Sequence, residues 1–273
     1  MRRIAPPLWL LALTVSGVNI GMALLTPAIP LLRDDLSASA DEAQLVLSAF
    51  LIMLGLGQLV AGSMSDTLGR RPVLLAGSLL FTVAGAAALI SPNIELLIVA
   101  RALQGFGASA CMAVGRVIIN DSFDKTEAGR QLSTITMIMA IVPMLGFAGG
   151  GLVADIIGWR GTVGIMVITA GVIFLANMAL LAETNHNRVA RAPILKVVGV
   201  FYLLLRKREF VVHATSGALL TAAFFALGGF MPYEFQRLGA SATMIGLLFS
   251  ITAFGYMSGN NLSRYMGPRM GLE

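Results

Sequence analysis

Residues Gly62-Ser63-Met64-Ser65-Asp66-Thr67-Leu68-Gly69-Arg70-Arg71-Pro72 decide the fold, because they form a short charged turn between two runs too apolar for a water-exposed surface. The glycines let the chain reverse, Pro72 suits the first turn of a helix, and the paired arginines suit anionic headgroups. On either side lie the runs 43–64 and 72–91, long enough for a hydrocarbon core about 30 Å thick, which takes about 20 residues. The same test applied outward finds further runs at 8–30, 94–119, 131–155, 161–182, 210–233 and 241–262. These are numbered spans 1 to 8 in chain order. With 57% apolar and 12% charged residues and a mean hydropathy of +0.84, the composition excludes a water-soluble domain. The expectation is an all-α polytopic membrane protein.

The charges lie between the runs. Arg2, Arg3, Arg70, Arg71, Lys125, Arg130, Arg188, Arg191, Lys196, Arg206, Lys207, Arg208, Arg264 and Arg269 fall on one side, and only Arg33, Arg160 and Arg237 on the other. The positive-inside rule then puts both termini in the cytoplasm. Met1-Arg2-Arg3 mimics a signal peptide, but the run that follows is too long and lacks a small-x-small cleavage site. Nucleic-acid binding is excluded, since it needs cations gathered on a soluble face. The lone Cys111 and the scattered His186 and His213 hold no metal and no cofactor. The segment between spans 6 and 7 divides the chain into a six-span bundle (1–182), a basic connection (183–209) and the start of a second bundle (210–273). A glycine-rich echo of Gly62–Gly69 at Gly259–Gly267 supports a repeat.

The turn at Gly62–Arg71 resembles the G-x-x-x-D-[R/K]-x-G-R-[R/K] signature of the major facilitator superfamily, and it lies where that family carries it, between spans 2 and 3. Thr67 stands at a usually basic position. Span 4 carries Arg101-Ala102-Leu103-Gln104-Gly105-Phe106-Gly107, similar to the same family's R-x-x-Q-G-x-G. Arg101 is about 10 Å into its run at 1.5 Å per residue, where exposure to lipid costs at least about 2.5 kcal/mol. Helical spacing puts Arg101, Gln104, Gly105, Ala108 and Met112 on one stripe, expected to line a cavity, with a helix-packing face as the alternative. Arg116, near the end of the run, is expected to snorkel as an end anchor.

Span 5 reads Pro143-Met144-Leu145-Gly146-Phe147-Ala148-Gly149-Gly150-Gly151. It is similar to the G-P-x-x-G-G motif of the superfamily's antiporters, with Gly146, Gly150 and Gly151 matching and Phe147 where proline belongs. A glycine surface for close packing accounts for it equally well. Together with Pro27-Ala28-Ile29-Pro30, Leu47-Ser48-Ala49-Phe50 and Gly57-Gln58-Leu59, these stretches resemble the Bcr/CflA-type drug-resistance branch, most closely over residues 27–121.

That resemblance implies a twelve-helix, proton-coupled exporter of small amphipathic molecules in the cell (inner) membrane, of which this chain holds the first eight helices. It implies that Gly62, Asp66, Gly69, Arg70 and Arg71, with Asp121, latch the cytoplasmic side. For Asp121, a solvated position beside Ser122 is the other reading. The branch often carries an aspartate where this chain has Ala23, and none of the fourteen acids falls in the middle of a run. Asn19, on the same side as Thr26, is expected either to hydrogen-bond between helices or to touch substrate. Phe224, Phe225, Met231 and Tyr233 make either an adaptable cavity wall or a lipid face. An enzyme is excluded, since no nucleophile set or metal cluster occurs at membrane depth. The alternative to a transporter is an inactive or regulatory fragment of one.

Overall fold

The computed structural model describes residues 5–185, 199 and 202–266, apart from the side chains at 256, 260, 261 and 263–265. His186, Arg188, Arg191 and Lys196 of the basic connection, and Gly267 of the echo, lie outside the described residues. Helices make up the rest, with no strand among the described residues. Seven are long and apolar enough to cross a membrane.

Span 1 is α1 (Leu8–Leu25), a 3-10 turn (Thr26–Ala28) and α2 (Ile29–Asp35). Pro27 and Pro30 force that break, since neither can donate a helical hydrogen bond. Span 2 is α3 (Ala40–Leu68), opened by a capping box in which Ser39 and Glu42 each satisfy the other's backbone N–H. Span 3 is α4 (Arg70–Leu89) and span 4 is α5 (Ile94–Ser122), capped by Asn93. The expected eleven-residue turn therefore contracts to Gly69 alone, whose φ of 110° favours glycine.

Spans 5 and 6 form one tract, α6 (Lys125–Leu180), capped by Asp124. Straight, its 56 residues would reach about 84 Å. Gly158 breaks it at φ 75° and ψ 176°. The packing shows that the chain doubles back there: Gly146 lies against Ala23 and Gly21 against Met166, so positions 146 and 166 sit at one height along α1. The eight expected spans are thus present, two of them in one helical tract. The last two are α7 (Arg208–Arg237) and α8 (Ala242–Met266).

In the first bundle, α1 lies between the two arms of α6, and a buried hydrogen bond from Asn177 Nδ2 to Thr14 Oγ1 (2.8 Å) ties it to the second arm. α5 is held by α3 and α4, close enough at Gly105 that a Cβ would collide with the Phe50 backbone. Among the described residues, the second bundle meets the first from the end opposite the Gly62–Pro72 turn inward. α8 runs along the first arm of α6 from Gly151, packed on Ala242, to Met144, whose carbonyl accepts from Ser250 Oγ at 2.6 Å. α7 buries Gly228, Gly229 and Pro232. Its residues 212–223 are exposed throughout. The bundles are thus joined at this far end, while the part of α7 toward the basic end stands exposed.

Candidate functional site

At the basic end, Gly69 turns the chain so sharply that Asp66 and Arg70 share one corner. The Arg70 guanidinium donates to Asp66 (2.5 Å), to Asp121 (2.9 Å) and to Ser65 Oγ (2.8 Å), linking α3, α4 and α5. Ser65 in turn donates to the Gly62 carbonyl (2.8 Å). Asp121 belongs to this cluster rather than to Ser122, whose buried hydroxyl has no hydrogen-bond partner among the described residues. Thr67 hydrogen-bonds back to Met64 of its own helix.

The cluster extends to two residues that sequence reasoning missed. Glu183, just beyond α6, accepts from the backbone N–H of Arg70 (2.9 Å) and Arg71 (3.3 Å), so its carboxylate caps α4 and meets the positive end of the helix dipole. Burial pushes Glu183 up, but the N–H groups of Asn185, Arg70, Arg71 and Thr184 outweigh it and hold the carboxyl below the ordinary glutamate value. Asn185 donates to the carbonyls of Ser65 and Asp66. Arg71 donates to the Leu181 and Met178 carbonyls, satisfying the last turn of α6. An acid directly after an apolar span on a basic side was the available signal. Every partner of the cluster named here lies in the first bundle or, for Glu183 and Asn185, in the first residues of the connection that follows it.

The Arg101 stripe lies in the packed interior of the first bundle. Arg101 and Gln104 are fully buried, with Arg101 Nη1 on Gln104 Oε1 at 2.6 Å and its guanidinium 4.4 Å from the Phe50 ring centre. The small residues of the stripe let α3 close over it, so it is a packed joint between α3 and α5. Arg101 Nε and Nη2 and Gln104 Nε2 have no hydrogen-bond partner among the described residues. Met112 is half-buried against the same core. Asn19 is half-buried and makes no side-chain hydrogen bond among the described residues, while Thr26 bonds its own helix at Met22. The interhelical bond expected of Asn19 is made by Asn177 instead.

At the far end, Asp155 accepts from the backbone N–H of Ala242 (3.0 Å) and Thr243 (2.8 Å) and from Thr243 Oγ1 (2.6 Å). It thereby caps a helix of the other bundle. Gln236 of α7 donates to Asp34 (3.1 Å), and Arg33 lies over the Tyr233 ring. The glycines of span 5 serve this joint: Gly146 and Gly150 pack on α1, and Gly151 on Ala242. Pro143 sits within α6 without breaking it, as Gly158 alone departs from helical geometry there. Phe224 and Met231 line a cavity of about 310 Å³ between α7 and α8. Phe225 and Tyr233 instead pack against the first bundle's core. His213 is exposed, and no group of potential metal ligands occurs among the described residues.

This arrangement of a six-span bundle, a charged turn after span 2 and a second bundle docked at one end is the setting for the comparisons. The family model described as Major Facilitator Superfamily matches residues 11–273. The chain belongs to the major facilitator superfamily. It is therefore a multi-pass protein of a transporter family and not an enzyme. Its relatives in the superfamily include the MFS-type transporter YdgK of Bacillus subtilis, 34% identical over 89% of this chain and 61% of that protein. A chloramphenicol resistance protein of Pseudomonas aeruginosa is 30% identical over 91% and 58%. Multidrug resistance protein D of Escherichia coli is 30% identical over 89% and 61%. The chain thus spans between 58% and 61% of the length of these relatives. Among solved structures, a bacterial homolog of the human lysosomal transporter Spinster, in an inward-facing and unoccupied conformation, matches with TM-score 0.73 at 19% identity, covering 96% of this chain and 63% of that one. At that identity the likeness shows the superfamily fold alone.

Proposed function

We propose that this chain provides the first bundle, and the first helices of the second, of a secondary transporter that exports small amphipathic molecules from the cytoplasm by alternating access. The observation that carries this reading is the pair of unequal ends. The far end is closed by the Asp155 cap and the Gly151–Ala242 contact, whereas residues 212–223 of α7, toward the basic end, are exposed throughout. Two packed arrangements differing by a few kcal/mol suffice for such rocking. The excess of cations at the basic end supports placing it, with both termini, on the cytoplasmic side of the inner membrane. In that frame the structure is the inward-facing member of the cycle. The Asp66–Arg70–Asp121 cluster is the surface on which the second bundle closes in the outward-facing member.

Drug export is supported by the 30% identity to the chloramphenicol and multidrug resistance proteins. Proton exchange as the energy source rests on the likeness to the Bcr/CflA-type branch. The test is chloramphenicol accumulation in cells stripped of their own efflux pumps and expressing this chain as part of a complete two-bundle protein. Lower accumulation than in vector controls, abolished by a protonophore, is expected. Equal accumulation in both refutes the reading.

A further inference from the structure

Just before α7 the chain reads Val197-Val198-Gly199-Val200-Phe201-Tyr202-Leu203-Leu204-Leu205, with Lys196 on one side and Arg206-Lys207-Arg208 on the other. At nine residues this uncharged stretch falls well short of the about 20 that cross a hydrocarbon core. Of its described residues, 202–205 form one helical turn, and Tyr202, Leu203 and Leu205 are each 61% exposed. The Lys207 N–H closes the turn on the Leu204 carbonyl (2.9 Å). Lys207 itself is extended (φ −86°, ψ 112°), so the chain changes direction before α7 begins at Arg208. The turn is therefore no part of span 7.

α7 fixes the height of this turn. Its 30 residues reach about 45 Å, which matches the roughly 40–45 Å of a bilayer with its headgroup layers. Its last residues are held at the far end, where Gln236 meets Asp34 at the close of span 1. Its first residues therefore emerge among the headgroups of the basic side, and the turn lies at the same level. There the Arg206 guanidinium stands 5.5 Å from the Tyr202 ring centre, a ring and a cation that both suit the boundary between hydrocarbon and headgroups. Arg206, Lys207 and Arg208 are all exposed. From Glu183 to Glu209 the sequence has no acid in between, against the six cations Arg188, Arg191, Lys196, Arg206, Lys207 and Arg208. A surface with apolar side chains and unmixed positive charge is complementary to acyl chains under anionic headgroups.

We propose that residues 202–208 are an interfacial foot that docks on anionic phospholipid. Tyr202, Leu203 and Leu205 enter the acyl boundary, and Arg206, Lys207 and Arg208 bind the headgroup phosphates. Lys207 joins the foot directly to α7, so the lipid under the foot holds the basic end of the second bundle. The inference stands apart from any transport activity and adds a lipid of stated charge to the partners of the chain.

The test is a spin label at Leu203→Cys, an exposed position, with the chain reconstituted in nanodiscs; the buried Cys111 does not compete for label. Collisions with oxygen, which concentrates in hydrocarbon, and with a water-soluble nickel chelate report where the label sits. In discs of anionic phosphatidylglycerol the label is expected to favour oxygen. In discs of zwitterionic phosphatidylcholine that preference is expected to fall at least about fivefold. The same fall is expected in phosphatidylglycerol when Arg206→Gln, Lys207→Gln and Arg208→Gln are combined, whereas Arg206→Lys with Arg208→Lys, which keeps the charge, is expected to retain the preference. A label open to the chelate in phosphatidylglycerol overturns the inference. So does an equal oxygen preference in the two lipids, which would mean that apolarity alone holds the foot. A label shielded from both reagents would be packed against protein, and overturns it as well. The comparison of the two lipids leaves the cations unaltered, so it decides the matter whether or not the triple Gln variant inserts.

Discussion

Replacing Asp155 by Ala removes the cap that one bundle lends to the other. Three hydrogen bonds end on this carboxylate, two from the backbone N–H groups of Ala242 and Thr243 and one from Thr243 Oγ1. Loss of an N-cap costs about 0.5–2 kcal/mol, and the side chain is exposed, so the electrostatic part is screened and the lower half of that range applies. Because the contact exists only while the far end is closed, the whole loss of about 0.5–1.2 kcal/mol appears as a shift between closed and open forms, roughly 2–8-fold in their ratio. Paired spin labels at Ile90 and Leu238, both strongly exposed at the far end on opposite bundles, read this ratio directly by electron–electron distance measurement. The buried Cys111 does not compete for label. The Asp155→Ala chain is expected to gain a longer-distance population by that factor, and Asp155→Asn, a cap of nearly equal quality, much less. Identical distance distributions in the Ala variant and the parent would refute the role of this cap.

Two further outcomes are expected. Gly151→Ala drives a methyl group into the Ala242 backbone and should open the far end in the same distance measurement, whereas Gly149→Ala, with nothing within 4 Å, should leave the distances unchanged. Equal effects of the two would show that glycine content, and not contact, matters. The carboxyl of Glu183 is held below its ordinary value in the folded chain, so its contribution to stability is complete above the unfolded value of about 4.3 and is lost as pH falls through the lower folded value. Thermal unfolding of the parent should therefore steepen its decline below about pH 4, and Glu183→Gln should flatten that decline. A variant with the parent's pH dependence would remove Glu183 from the cap.

The membrane architecture was legible because hydrocarbon thickness imposes a length on every apolar run, and the Gly62–Pro72 signature was legible because charge interrupts apolarity there. The partners of Asp155 and Glu183 were not. Each carboxylate meets backbone N–H groups, which have no letter in the sequence, and they lie 87 and 113 residues away respectively. Arg101 was misplaced for a different reason. Helical periodicity gives the face a residue occupies, but whether that face meets a cleft or a neighbouring helix depends on α3, whose approach at Phe50 is set by Gly105.

Glu183 is also the third residue past the end of α6 on the way to the second bundle, and its carboxylate is fastened to the start of α4. The connection between bundles is therefore tethered at its root to the very turn that carries Asp66 and Arg70. Any displacement of Glu183 is therefore a displacement of that turn as well.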